Sequence, residues 1–143
     1  MDVDAPVELV FRWLCQLRVA PYSYDWIDNL GRRSPRHLTP GLDRLEVGQS
    51  FMTIFRLVSF EDRRSITLDS TTTLFGRVVG TYVVAPTAEQ RSRVVVKLIF
   101  ASPRGLRGSV TRRLLPAGDL VMMRKQLRTL KTLAERDGRH HGS

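Results

Sequence analysis

A chain of 143 residues with 42% hydrophobic content is long enough to fold as one domain around a buried core without disulfide or metal staples. Its single cysteine excludes an internal disulfide, and the absence of any run of about 18 apolar residues argues against a membrane-spanning helix. The net charge of +9 raises nucleic acid and anionic surfaces as partners, but the basic residues are scattered along the chain and 20 of the 23 are Arg.

The densest basic groups are Arg32-Arg33 with Arg36, Arg63-Arg64, and Arg104, Arg107, Arg112 and Arg113. None is interleaved with aromatic residues as a single-strand binder requires, so a solvated cationic surface is the first reading and nucleic acid is not expected. Contact with an anionic membrane surface stays open as an alternative. The opening Met1-Asp2-Val3-Asp4 is acidic and lacks the basic and apolar regions of a secretory leader, so a cytoplasmic location is expected.

The first predicted helix runs from about Pro6 to Arg18. Pro6 and Glu8 suit a helix start, and Val7, Val10, Phe11, Leu14 and Leu17 recur at helical spacing, widened by Leu9 and Trp13. Cys15 lies within this apolar pattern and reads as a packed thiol. The segment Ala20 to Asn29 contains three closely spaced aromatics after Pro21 and reads as a short second helix or turn. Gly31 to Gly48 reads as a loop by its Pro and Gly content.

Four runs then predict an antiparallel meander: Ser50–Phe60, Arg64–Thr73, Val78–Ala85 closed by Pro86, and Arg93–Ala101. Ile66, Leu68 and Ser70 share one face of the second. Val94, Val96, Leu98 and Phe100 share one face of the fourth, with Lys97 marking the wetter side. A long helix is expected from about Pro116 to Arg136, ending before Gly138. Its apolar face carries Leu120, Met123, Leu127, Leu130 and Ala134, with Met122 and Leu133 at the margins. One domain over residues 1–137 and a frayed tail over 138–143 follow.

This order argues for an α+β fold in which a curved antiparallel sheet wraps a long C-terminal helix, with two short N-terminal helices. The space between such a sheet and helix, walled by apolar side chains, is a default site for a small molecule. The stretch Val3-Asp4-Ala5-Pro6-Val7-Glu8-Leu9-Val10-Phe11-Arg12-Trp13-Leu14 resembles the first strand and helix of the START/polyketide-cyclase/pollen-allergen superfamily (SRPBCC). The segments Ala20–Asn29 and Leu115–Leu127 are similar to an uncharacterised bacterial branch of it. The strand Met1–Asp4 is shorter than the family's usual first strand, which leaves either a short sheet edge or a strand continuing upstream. The resemblance implies a helix-grip fold with an apolar cavity. It also implies either a carrier of lipids, polyketides or aromatic compounds, or a cyclase-like enzyme.

The candidate chemistry is sparse. His37 stands alone and His140-His141 closes the chain, so no metal site is expected, and no cofactor motif appears; Gly76 and Gly80 are strand or turn glycines. Tyr22, Tyr24, Asp25 and Trp26 form the richest polar-aromatic group. They either plug one end of the grip or line the pocket mouth, where Asp25 with Tyr22 or Tyr24 would be the acid-base pair of a cyclase. Arg56, in an apolar run, either points inward to bind a ligand carboxylate or outward to solvent. The expected cavity wall combines Tyr22, Tyr24, Trp26 and Arg56 with Leu68, Tyr82, Val96, Leu98 and Phe100 of the sheet and Met123 and Leu127 of the last helix. The leading expectation is a non-catalytic binder of a hydrophobic small molecule. A cyclase and a basic interaction module stand as alternatives.

Overall fold

A computed structural model describes residues 1–20, 22, 33–52, 54–71, 77–101 and 106–141, with side chains described for all of these except 100, 101 and 106–121. Pro6, extended at φ −69° and ψ 155°, accepts the Leu9 and Val10 amides on its carbonyl and so opens helix α1 (Val7–Cys15). The chain tightens into a 3-10 turn over Gln16–Arg18, which together with α1 matches the predicted first helix. Within α1 only Glu8 and Arg12 are exposed, so the helix is enclosed on nearly every side. Apart from Ala20 and Tyr22, the expected second helix lies outside the described residues.

Six antiparallel strands follow the order β1-β6-β5-β4-β3-β2 in one curled sheet: β1 (Asp2–Val3), β2 (Ser50–Phe51), β3 (Phe55–Glu61), β4 (Ser65–Ser70), β5 (Arg77–Ala88) and β6 (Arg91–Ala101). The predicted first run, Ser50–Phe60, is a tight hairpin instead of one strand. Met52 takes φ 47°, a left-handed conformation that ends β2 and reverses the chain into β3. The third run does not stop at Pro86, which pairs in register with Ser92. The β4 ladder ends at Ser65 opposite Val83, so Pro86 has a β-neighbour on one side only, where its missing N–H costs little.

The long C-terminal helix α2 (Leu106–His141) extends past both predicted ends. Pro116 lies in its interior, where it has no N–H to offer the preceding turn. Gly138 does not end the helix. A Cβ placed on Gly138 would lie 3.4 Å from the Ala5 Cβ and 3.5 Å from the Asp4 carbonyl, so this glycine lets α2 pass close to the chain between β1 and α1. Residues 138–141 are therefore helical and not a frayed tail.

The two-residue strand β1 is fixed by polar contacts on every side. The Met1 nitrogen donates to the Val94 carbonyl at 2.8 Å, and the Val94 amide donates back to the Met1 carbonyl at 2.8 Å. Arg93 Nε donates to Asp2 at 2.6 Å and Arg91 Nε to Asp4 at 2.8 Å. From α2, Lys131 donates to the Asp2 carbonyl at 2.8 Å and pairs with Glu135, whose carboxylate also accepts the Asp4 amide at 2.9 Å. At the other side of the sheet, Arg77 Nε donates to both Asp69 oxygens at 3.0 Å.

The hydrogen bond from Arg93 holds the Asp2 carboxyl below its ordinary value of 3.8, and the bond from Arg77 does the same for Asp69. Carboxyls depressed in the folded state stabilise it above their unfolded value, and that contribution is lost as pH falls through the lower folded value. Thermal melts from about pH 5 to about pH 2 should therefore show a falling midpoint below about pH 4. The double variant Asp2→Asn, Asp69→Asn should flatten the fall, as should high salt, because both pairs are exposed. A midpoint unaffected by the double variant would contradict the assignment.

Candidate functional site

The register sorts the sheet into two faces. Leu57, Leu68, Gly80 and Leu98 lie in one row across β3 to β6, and Phe60, Ile66, Tyr82 and Val96 lie in the next. Val84 opposite Val94 continues the same face, the one covered by the helices. The opposite face carries Ser59, Thr67, Thr81 and Lys97 in one row and Arg56, Asp69, Val79 and Ile99 in another. Alternation with a period of two dictates this split once Leu57, Ile66 and Leu68 are fully buried. Among the described residues, no side chain in the inner rows is charged.

Helix α2 covers part of this inner face. Leu130, Leu133 and Ala134 are buried, and Met123 and Leu127 pack against the core while only half-buried; Val96 and Leu98 of β6 are half-buried too. The centre of the helix's buried side is polar. Gln126, at 5% exposure, accepts a hydrogen bond on Oε1 from the hydroxyl of Tyr82, at 3% exposure, over 2.8 Å. Its Nε2 donates to the Met52 Sδ at 3.1 Å, so one amide links the middle of the sheet to the β2–β3 turn. Burial pushes the Tyr82 phenol well above its ordinary value, so it stays a proton donor at any physiological pH.

Farther along α2, toward β1, packing is close to complete. A crevice between Val3, Val10, Trp13, Leu14, Leu130 and Ala134 measures about 10 Å³, room for about one water, and its walls are apolar. The half-buried end around Leu98 and Met123 and this closed end are therefore different in kind.

A second buried polar group lies behind α1. Gln16, fully buried, accepts the Thr39 amide at 2.7 Å and donates to the His37 carbonyl at 3.1 Å and to the Tyr22 hydroxyl at 2.9 Å. Tyr22 in turn donates to the Pro35 carbonyl at 2.7 Å and meets Trp13 edge-on, with ring centroids 6.0 Å apart. The knot ties the segment 34–39 to α1, while Arg18 holds the next stretch by donating to the Leu42 carbonyl at 3.0 Å.

Of the residues expected to wall a cavity, Leu68, Tyr82, Val96, Leu98, Met123 and Leu127 lie on or against the inner face. Arg56 does not: Leu57 takes the inner position, so Arg56 faces out, exposed, opposite Asp69. Tyr22 is held in the α1 knot. Tyr24, Asp25 and Trp26, and with them the expected acid-base pair, lie outside the described residues, as does the side chain of Phe100. Gln126 and Met52 were not among the expected residues. A lone amide in the apolar stripe of an amphipathic helix, four residues before Leu130, was the available signal for the first; nothing local marked the second. Cys15 is fully buried, and loss of solvation pushes its thiol up to about 12. Among the described residues no group of three or more His, Cys, Asp or Glu is placed to hold a metal ion.

Comparisons with family models, curated proteins and solved structures found no match for this chain.

Two measurements follow. Gln16→Leu should destabilise the fold by about 1–3 kcal/mol in urea melts, because the Thr39 amide and the His37 carbonyl lose their buried partner; a loss below about 0.5 kcal/mol would remove the knot from the list of structural supports. Cys15 should resist Ellman's reagent at pH 8 in the native protein and react fully in denaturant. Rapid native labelling would show that α1 opens readily.

Proposed function

We propose that this chain is a helix-grip protein, related to the START/polyketide-cyclase/pollen-allergen superfamily, that binds a hydrophobic small molecule between the sheet and α2. One observation carries the reading: among the described residues the inner wall is uncharged, and its apolar residues Val96 and Leu98, with Met123 and Leu127 of α2, are left half-buried. A core built only for stability covers such residues more fully, since each buried leucine or valine contributes roughly 1.5–3 kcal/mol. The element order supports the kinship, because β1 leads directly into α1, as the resemblance implies.

Carriage is preferred over catalysis. Among the described residues, Tyr82 is the only titratable group in the inner rows, and its proton is held too tightly for acid-base exchange near neutrality. The cationic surface is set apart from this site, since Arg56, Lys97 and the ion-paired Arg77 and Arg93 occupy outer-face positions.

A thermal-shift panel of dodecan-1-ol, 2-ethylnaphthalene and 2-acetonaphthone tests the proposal. At about a hundredfold over the dissociation constant, a true ligand stabilises by about 2.7 kcal/mol, or roughly 5–10 °C in a domain of this size. Met123→Trp should abolish the shift while leaving the unliganded fold intact. A panel with no shift at all would overturn the reading.

A further inference from the structure

We infer that the open edge of β6 pairs with the same edge of a second copy of this chain, joining the two sheets into one about a two-fold axis at Leu98. The inference stands on the sheet alone and does not depend on the binding reading above.

β6 runs from Arg91 to Ala101, but β1 reaches only its start. Val3 lies opposite Ser92, Asp2 opposite Arg93, and Met1 exchanges both backbone hydrogen bonds with Val94. From Val95 to Ala101, β6 pairs with β5 on one side, and among the described residues no strand pairs with it on the other. Backbone groups alternate sides along a strand. Val94 turns its N–H and C=O toward β1, so Val96, Leu98 and the backbone of Phe100 turn theirs toward the open edge.

This stretch is self-complementary in one register. Antiparallel pairing centred on Leu98 sets it against Leu98 of the second copy, and Val96 against Phe100 of the second copy. Each of these pairs exchanges both of its N–H···O bonds, so every edge-facing group finds a partner. The same register sets Val95 against Ala101 of the second copy. The incoming strand therefore ends where β1 begins, beside Met1 and Val94, and its length is that of the edge β1 leaves uncovered.

Charge selects the same register. Lys97 is the only charged residue from Val95 to Ala101, and it shares the outer face with Val95 and Ile99. Centring on Lys97 sets like charges directly opposite each other. Centring on Leu98 sets Lys97 against Ile99 of the second copy, where its aliphatic stem covers an apolar side chain. Val95 and Ile99 are 53% and 55% exposed, more than any other large hydrophobic of the described strands.

An edge kept for solvent is short, bulged or charged, and the far edge of this sheet is of that kind. β2 has two residues, β3 shifts register between Leu57 and Ser59, and the Leu57 backbone is already bonded to Gly48 and Gln49. Pairing through β6 therefore closes at two copies and does not propagate.

Sedimentation equilibrium of the purified chain without ligand, from about 1 to about 200 µM, should show the mass rising toward twice the 16.3 kDa of one chain, as suits a small interface. Over the same range, hydrogen exchange at the Val96 and Leu98 amides should slow by about fivefold or more, while exchange at the Lys97 amide, which faces β5, stays unchanged. Ile99→Lys places like charges opposite each other at positions 97 and 99 of the two copies. It should give a monomer with the wild-type circular dichroism spectrum. Adding Lys97→Glu to Ile99→Lys converts each repulsive pair into an ion pair and should restore the dimer, which a mere loss of apolar surface does not explain. A monomer at every concentration, a dimer indifferent to Ile99→Lys, a double variant that stays monomeric, or open-ended assembly overturns the inference. If Ile99→Lys does not fold, the concentration dependence of exchange at Val96 and Leu98 decides.

Discussion

An antiparallel sheet with one apolar face must have that face covered, and the arrangement of this protein follows from how the cover is supplied. Leu57, Ile66 and Leu68 are fully buried, and their register carries the apolar rows across β5 to β6. α1 closes the end nearest β1 almost without gaps, because Val10, Trp13 and Leu14 meet Leu130 and Ala134 of α2 there. Beyond this end Met123 of α2 and Val96 and Leu98 of β6 are only half-buried. Cover at that end is partial, so one helix is close-packed at one end and leaves apolar residues half-buried at the other.

Much of this was legible in the sequence because it depends on periodicity. The two-residue alternation in Arg93–Ala101 placed Val94, Val96 and Leu98 on one face, and the structure keeps them there. The helical spacing of Val10, Phe11, Leu14 and Leu17 likewise marks buried positions. What periodicity could not give is where elements end. Met52 reverses the chain by adopting a left-handed conformation that its residue type does not advertise, so a hairpin reads as one strand. Gly138 reads as a stop by its preference for helix C-termini, yet here its missing side chain serves the close passage of α2 past Asp4 and Ala5. That contact spans more than a hundred residues of sequence, and no local pattern contains it.

The candidate site was legible in outline and hidden at its chemical centre. Apolar wall positions follow from patterning. Arg56 could not be assigned, because both faces of its run look apolar until Leu57 is seen to take the interior. Gln126 is a single amide in an apolar helix stripe, and no local pattern gives it a partner. Its role depends on Tyr82 lying across from it, and that pairing is a product of the fold.

A buried polar pair is a costly way to join a helix to a sheet. Tyr82 and Gln126 each give up hydration on burial, and their mutual hydrogen bond returns a net of only about 1 kcal/mol, so apolar side chains of the same size would hold the interface at least as well. The Gln16 knot is different, since it satisfies partly buried backbone groups of an irregular segment, the Thr39 amide and the His37 carbonyl. Gln126 joins a phenol of the sheet to a thioether of the β2–β3 turn. This polar link separates the half-covered stretch of α2 from the end nearest β1, where α1 and α2 meet through apolar contacts and the bond that Trp13 Nε1 donates to Asp137 at 3.2 Å.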